Sequence, residues 1–471
     1  MISRNFAIFI SIVIFFVCIV MILLQDGQSE SLLGKSLLLS SVLFIIPFII
    51  KDEKRLSSYM FRPFIVFLMG YFIVFFQKYY DLYCGLTSKD DSVFWNSNLI
   101  VYSLLLSCLG LAAFLIGYYS SAYRGKKTQN NAPRFFDMNM MRKLMVLATF
   151  LIIVFKAKDL ISGNYSQEDL EKNAGGMSNY SSIFFVVVYF ALLSLSVYNC
   201  CLLKNHSLKD FLGQFGYKSI ICVLIYIALL TIGGSRSNVI IVLSSLVFAI
   251  FYIRNIKIKL FYIIIGVAVF SYVLSFIGIT RNLKGMSLSE KARAVESINL
   301  ERKSIFSPTL EYAGSLETFN ASLDYVPSKH DFLYGSFHVR NLVSAIPFSS
   351  RVSRLFFDNR KQYHSSDFFI TYIIQGEYYT YGNGTSLNAD LYLNYGVIGI
   401  VVGLFILGMV FRKTENNVLL ENTPTFNYIV LFLFMMGYAL PYSRNGFLAP
   451  INYIMFTYIL LFFYKKRYKV I

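Results

Sequence analysis

The sequence predicts an all-α polytopic membrane protein with about 12 transmembrane helices and one large external loop of mixed short helices. Three observations predict it. Only 15% of the 471 residues are charged and 56% are hydrophobic, whereas an ordinary soluble domain carries roughly 25% charged residues. Apolar runs long enough to cross a bilayer recur from end to end. Lysine and arginine gather in alternate connections, the asymmetry that orients membrane proteins. A transmembrane barrel would show short alternating segments, and these runs do not alternate.

The elements follow in order. The first run, Phe6 to Leu24, comes after Arg4, exceeds a signal peptide's apolar core, and has no small-residue cleavage site behind it. It reads as a retained signal-anchor span. The expected spans centre near Ile14, Leu43, Leu68, Cys108, Thr149, Val188, Tyr226, Ser245, Val267, Val402, Phe434 and Phe456, at roughly 20 residues each. Three regions result: 1–280 with nine spans, 281–388 as the large external loop, and 389–471 with three more. Of the 43 basic residues, 23 fall on the side that holds both termini, 8 in the short connections opposite, and 12 in the long loop. The rule does not weigh long loops, so both termini are expected in the cytoplasm.

A net charge of +17 would suggest nucleic acid in a soluble protein, but here the basic connections account for it. Cys18, Cys108, Cys200, Cys201 and Cys222 lie in or beside apolar runs, and Cys84 in a loop, with no disulfide or metal spacing. Neither a phosphate-binding GxxxxGK[ST] loop nor GxGxxG after a strand nor HExxH is present, so no metal and no cofactor are expected. The cytoplasmic loops are too short for a nucleotide-sugar domain. A glycosyl donor would therefore be lipid-linked and met from outside.

TIGGSRSN (231–238) places Arg236 between apolar runs of about 15 residues, roughly 22 Å of helix against a hydrocarbon core of about 30 Å. Two placements are open to this arginine: reaching headgroups or helix-end carbonyls, or facing a watery cavity. The short runs favour the cavity, since charge at that depth needs protein or water around it. Arg281 in GITRN, Arg340 in SFHVRN, Arg351 and Arg354 in SSRVSR, and Arg444 in PYSRNG lie on the same side. Guanidiniums match phosphate oxygens bidentately and stay protonated. For proton transfer the candidates are His338, two residues from Arg340, and Asp390, at the start of a helix in NADLYLNYG. An acid there is also a favourable dipole partner. Asp367 and Glu377 are further carboxylates, and Tyr363, Phe368, Phe369 and the EYYTYG stretch could either face sugar rings or form an interfacial belt.

Three stretches resemble the bacterial O-antigen polymerases, or oligosaccharide repeat-unit polymerases: GTSLNADLYLNYGVIGIVVGLFILG (384–408), FLYGSFHVRNLVSAIPFSSR (332–351) and GGSRSNVI (233–240). The family often has arginine directly after Ile-Pro, whereas Phe348, Ser349 and Ser350 come before Arg351 here. The resemblance implies a GT-C-like helical fold in the bacterial inner membrane. It implies transfer of a growing glycan from undecaprenyl pyrophosphate to the non-reducing end of a new lipid-linked unit, during lipopolysaccharide biosynthesis. Arg236, Arg281 and Arg444 would hold the departing pyrophosphate, Asp390 or His338 would deprotonate the acceptor, Arg340 and the loop tyrosines would position the sugars, and Arg351 is a further substrate-binding candidate. A chain-length regulator is a possible partner. The rival readings are an O-antigen ligase and, in another class, a flippase, which would put charges within many spans.

Overall fold

In the computed structural model the described residues are 3–24, 30–50, 60–121, 135–157, 177–203, 207–232, 235–266, 303–344, 356–379 without 359, 381–421 and 424–467, with a few isolated positions between. Among them the secondary structure is helical and contains no strand. The membrane helices are α1 (Arg4–Leu23), α2 (Glu30–Ile49), α3 (Pro63–Phe75), α4 (Gln77–Tyr83), α5 (Ile100–Ser120), α6 (Asn139–Phe155), α7 (Met177–Leu202), α8 (Leu208–Phe215), α9 (Tyr217–Ile232) and α10 (Arg236–Ile253). The long connection contributes α11 (Leu310–Ala313), α12 (Leu316–Tyr325), α13 (Ser336–Ser344) and α14 (Ser366–Gln375), followed by α15 (Leu387–Glu415), α16 (Phe426–Tyr438) and α17 (Ile451–Arg467).

Among the described residues, five stretches are long and apolar enough to cross a bilayer, and seven if the bent pairs α3–α4 (47°) and α8–α9 (78°) each count as one. Ser237–Ile253 and Phe426–Tyr438 are shorter apolar helices. The expected centre at Val267 lies outside the described residues. These helices are consistent with a polytopic membrane protein, and they do not confirm a count of twelve spans.

α5 is the hub, buried along nearly its whole length. It runs parallel to the second half of α15, and glycines set their separation. A methyl on Gly117 would collide with the Phe405 carbonyl, and one on Gly408 with that of Phe114. In a membrane, where lipid is as apolar as leucine, such small residues let helices gain close packing. α1 lies against α5 with a seam of Ala7, Ser11, Ile14 and Cys18. That 4-3-4 spacing makes one helical face, while Phe9 and Phe16 face outward. α3 runs the other way, its Phe64 ring stacked on Tyr118 at 3.8 Å and its Tyr71 hydroxyl bonded to Asn388.

α15 is not one rod. At Gly396 the backbone takes φ 64°, ψ −152°, a region open to glycine and strained for other residues. The half 387–395 folds back on the half 397–415. A methyl on Gly399 would strike the Leu391 carbonyl, and one on Gly403 would sit 2.6 Å from a Leu391 methyl.

The described part of the long connection packs on the Asp390 end of the bundle. Asp81 at the top of α4 accepts from Ser304 Oγ and Ile305 N at 2.8 Å each. On α12, Asn320 donates to the Val93 carbonyl at 3.0 Å and Thr318 to Ser386 Oγ at 2.9 Å.

Candidate functional site

The site is built where 387–395, α13 and the turn after α16 meet. Leu333 N donates to the Leu393 carbonyl at 2.9 Å, and the Phe332 ring lies 3.2 Å from the space a side chain at Gly396 would need. Tyr334 (φ 46°) and Gly335 (φ 82°) then reverse the chain into α13. One turn on, His338 projects onto α15.

Asp390 is 1% exposed. Its Oδ2 accepts from Phe447 N at 2.8 Å and lies 2.8 Å from His338 Nε2. Gly446 permits this approach, since a methyl there would stand 3.3 Å from the same oxygen. Because Oδ2 already accepts the amide proton, it meets the imidazole as an acceptor, and Nε2 carries the ring proton. His338 Nδ1 is then the lone-pair nitrogen, and it accepts from the Tyr395 hydroxyl at 3.2 Å. The arrangement is a buried acid orienting a histidine whose other ring nitrogen meets the Tyr395 hydroxyl, an order of groups suited to passing a proton.

The arginines divide. Arg444 closes the short helix Pro441–Arg444, two residues before Gly446, with its guanidinium over the Tyr312 ring at 5.1 Å. Arg236 opens α10, and its side chain lies outside the described residues. The register of α10 against α16 nonetheless fixes its level. Ile241 meets Gly437, Ser244 Oγ reaches the Gly437 carbonyl at 3.3 Å, and the Phe248 and Phe432 rings meet, tilted, at 4.7 Å. The helices are antiparallel, so the start of α10 reaches the level of the 441–444 turn, beside the Asp390 end. Arg340 does not join the pair. Its Nη1 donates to the carbonyls of Asp358 at 3.0 Å and Tyr363 at 2.7 Å, fastening α13 to the loop. Arg281, Arg351 and Arg354 lie outside the described residues. Among the described residues no cluster of three or more His, Cys, Asp or Glu could hold a metal.

Sequence reasoning found Asp390 and His338 but not their partners Tyr395, Phe447 N–H and Gly446. The stretches NYG and RNGF were the available signal, because glycine beside polar or aromatic residues marks close approach. It also missed Glu415 at the far end of α15. This buried carboxylate accepts from Phe64 N at 2.8 Å and Tyr118 hydroxyl at 2.6 Å, and faces Arg62 at 3.5 Å. In the long connection Glu317, in the first turn of α12, is pushed up to about 7 by burial and then by the nearby Asp91 charge.

The apolar helices define a multi-pass membrane protein with a buried acid–histidine pair at one end of its bundle. The chain belongs to the O-antigen polysaccharide polymerase Wzy family, whose family model matches residues 6–469. Comparison with curated proteins and with solved structures gave no match.

Proposed function

We propose that this protein polymerises undecaprenyl-pyrophosphate-linked oligosaccharide repeat units into O-antigen or a similar surface polysaccharide. The growing glycan moves to the non-reducing end of a new lipid-linked unit on the periplasmic face of the bacterial inner membrane. Family membership supports a glycan polymerase, and the buried Asp390–His338 pair, at 2.8 Å, is the observation that carries the chemistry.

His338 is the general base and Asp390 its orienting partner. Removing the acceptor proton lets the acceptor oxygen attack the anomeric carbon as the pyrophosphate departs. The carboxylate beside Nε2 stabilises the imidazolium that forms. Arg444 and the start of α10 stand at the same end, so Arg444 and Arg236 are the pyrophosphate ligands, with Arg281 and Arg351 joining from the long connection. Arg340 holds the wall of the sugar site through its loop carbonyls. The proposed frame keeps twelve spans in a GT-C-like arrangement, regions 1–280, 281–388 and 389–471, and both termini in the cytoplasm. A chain-length regulator is its proposed protein partner.

The test is deletion of the gene and complementation, read by electrophoresis of surface glycolipid. Deletion should leave single repeats in place of a ladder, and Arg236→Ala or His338→Gln should fail to restore it. Long chains retained on the lipid carrier would assign a ligase instead, and absence of outward-facing units a flippase.

A further inference from the structure

We propose that Tyr395 is a catalytic residue, the group through which the acceptor's proton reaches His338. The inference rests on the polymerase reading above. Asp390 is 1% and His338 6% exposed, so a sugar hydroxyl cannot reach Nδ1 directly. What covers Nδ1 is the Tyr395 hydroxyl, 3.2 Å away, and Tyr395 is 44% exposed. It is the member of the Asp390–His338–Tyr395 chain that opens outward.

Tyr395 also has a built seat. Its ring lies on Gly335, where a methyl would stand 2.5 Å from the phenol oxygen and 2.9 Å from two ring carbons. Gly335 is in the left-handed region at φ 82°, and Gly396, next in sequence to Tyr395, at φ 64°. The ring is wedged between the turn into α13 and the break in α15. Gly335, with no side chain of its own, gives the phenol its place. A fixed hydroxyl pointing at the base suits a relay.

The step balances as follows. The acceptor hydroxyl donates to Tyr395 Oη. As the acceptor oxygen bonds the anomeric carbon, its proton passes to Oη and the phenol proton passes to His338 Nδ1. The anomeric carbon–oxygen bond to the pyrophosphate breaks, and the electron pair leaves with the phosphate. The phenol ends unchanged, and the imidazolium later returns its proton to water.

The experiment uses the full-length protein in phospholipid nanodiscs. Lipid-linked single repeats extracted from the deletion strain serve as donor and acceptor. Tyr395→Phe keeps the ring in its seat and removes the relay, so kcat should fall about 10²–10⁴-fold, the worth of a positioned proton-transfer group, with KM nearly unchanged. Difluorotyrosine at 395 keeps the hydroxyl and acidifies it. The alkaline limb of the rate profile should then move to lower pH by about the difference in acidity of the two phenols. A Tyr395→Phe protein with wild-type or higher kcat would overturn the relay and make Tyr395 a mere cover over Nδ1. Should that variant aggregate, the difluorotyrosine protein decides, an unmoved pH profile counting against the relay. A wild-type protein that elongates nothing would overturn the polymerase reading, and this inference with it.

Discussion

Two carboxylates sit buried at opposite ends of α15, and their partners differ in kind. Glu415 is held by Phe64 N–H, the Tyr118 hydroxyl and Arg62, with the Arg412 guanidinium lying over the Tyr118 ring at 5.1 Å. Arginine does not give up its proton in a protein, so Arg62 keeps its charge and this end acts as a fastener among α3, α5 and α15. Asp390 has one amide N–H and one imidazole. An imidazole can both take up and give back a proton, which is what the proposed reaction asks of this end. The chemistry of the partner, more than the depth of burial, separates an anchor from a working group.

Removing either end should therefore fail differently. The largest effect is expected from His338→Gln or Asp390→Asn, a fall in polymerisation rate of about 10²–10⁴-fold, with membrane insertion and melting temperature retained. Loss of the folded protein instead would make the outer pair a second fastener. Next comes Glu415→Gln, which leaves Arg62 without its counter-charge. It should cost about 3–5 kcal/mol of stability, read as a lowered melting temperature in detergent, while the surviving folded fraction keeps its rate per molecule. A drop in that rate would erase the contrast. Gly117→Val should cost about 1–3 kcal/mol by overpacking, because the Phe405 backbone cannot retreat as a side-chain tip could. It should lower yield of folded protein and leave the pH profile alone.

The smallest effect concerns Glu317. Its folded carboxyl titrates at about 7 against an ordinary 4.5, so between those values the folded state holds more protons than the unfolded one. Stability contributed by the protonated form is present below pH 4.5 and is lost as pH rises toward 7. Glu317→Gln should flatten that part of a melting-temperature profile, modestly, because the group is partly exposed and screened. An unchanged slope would place Glu317 in open solvent.

The helical membrane class was legible because scarcity of charge and recurring apolar runs are bulk properties of the chain. Length alone does not reveal a bend, which is why α3–α4 and α8–α9 read as plain spans and why Gly396 passed as one glycine among several in a glycine-punctuated run. Asp390 could be picked out because an acid at the start of an apolar helix needs a reason. Its union with His338, 52 positions away in sequence, is a product of tertiary folding that no local pattern encodes. Arg62 and Arg412 look in sequence like ordinary positive-inside residues, and only folding shows them around Glu415. Arg340 shows the reverse: a residue type suited to phosphate, occupied by the carbonyls of Asp358 and Tyr363.

The break at Gly396 decides more than a change of direction. Unbroken, the 29 residues of α15 would make a rod of about 44 Å, well beyond a hydrocarbon layer of about 30 Å. In the proposed orientation, such a rod pinned at Glu415 would lift its first turns clear of the bilayer. Asp390 would then stand in open water, and the growing end of the proposed polymer would have to leave the lipid surface to meet it. By doubling back, the chain returns the turn that carries Asp390 alongside the second half of α15.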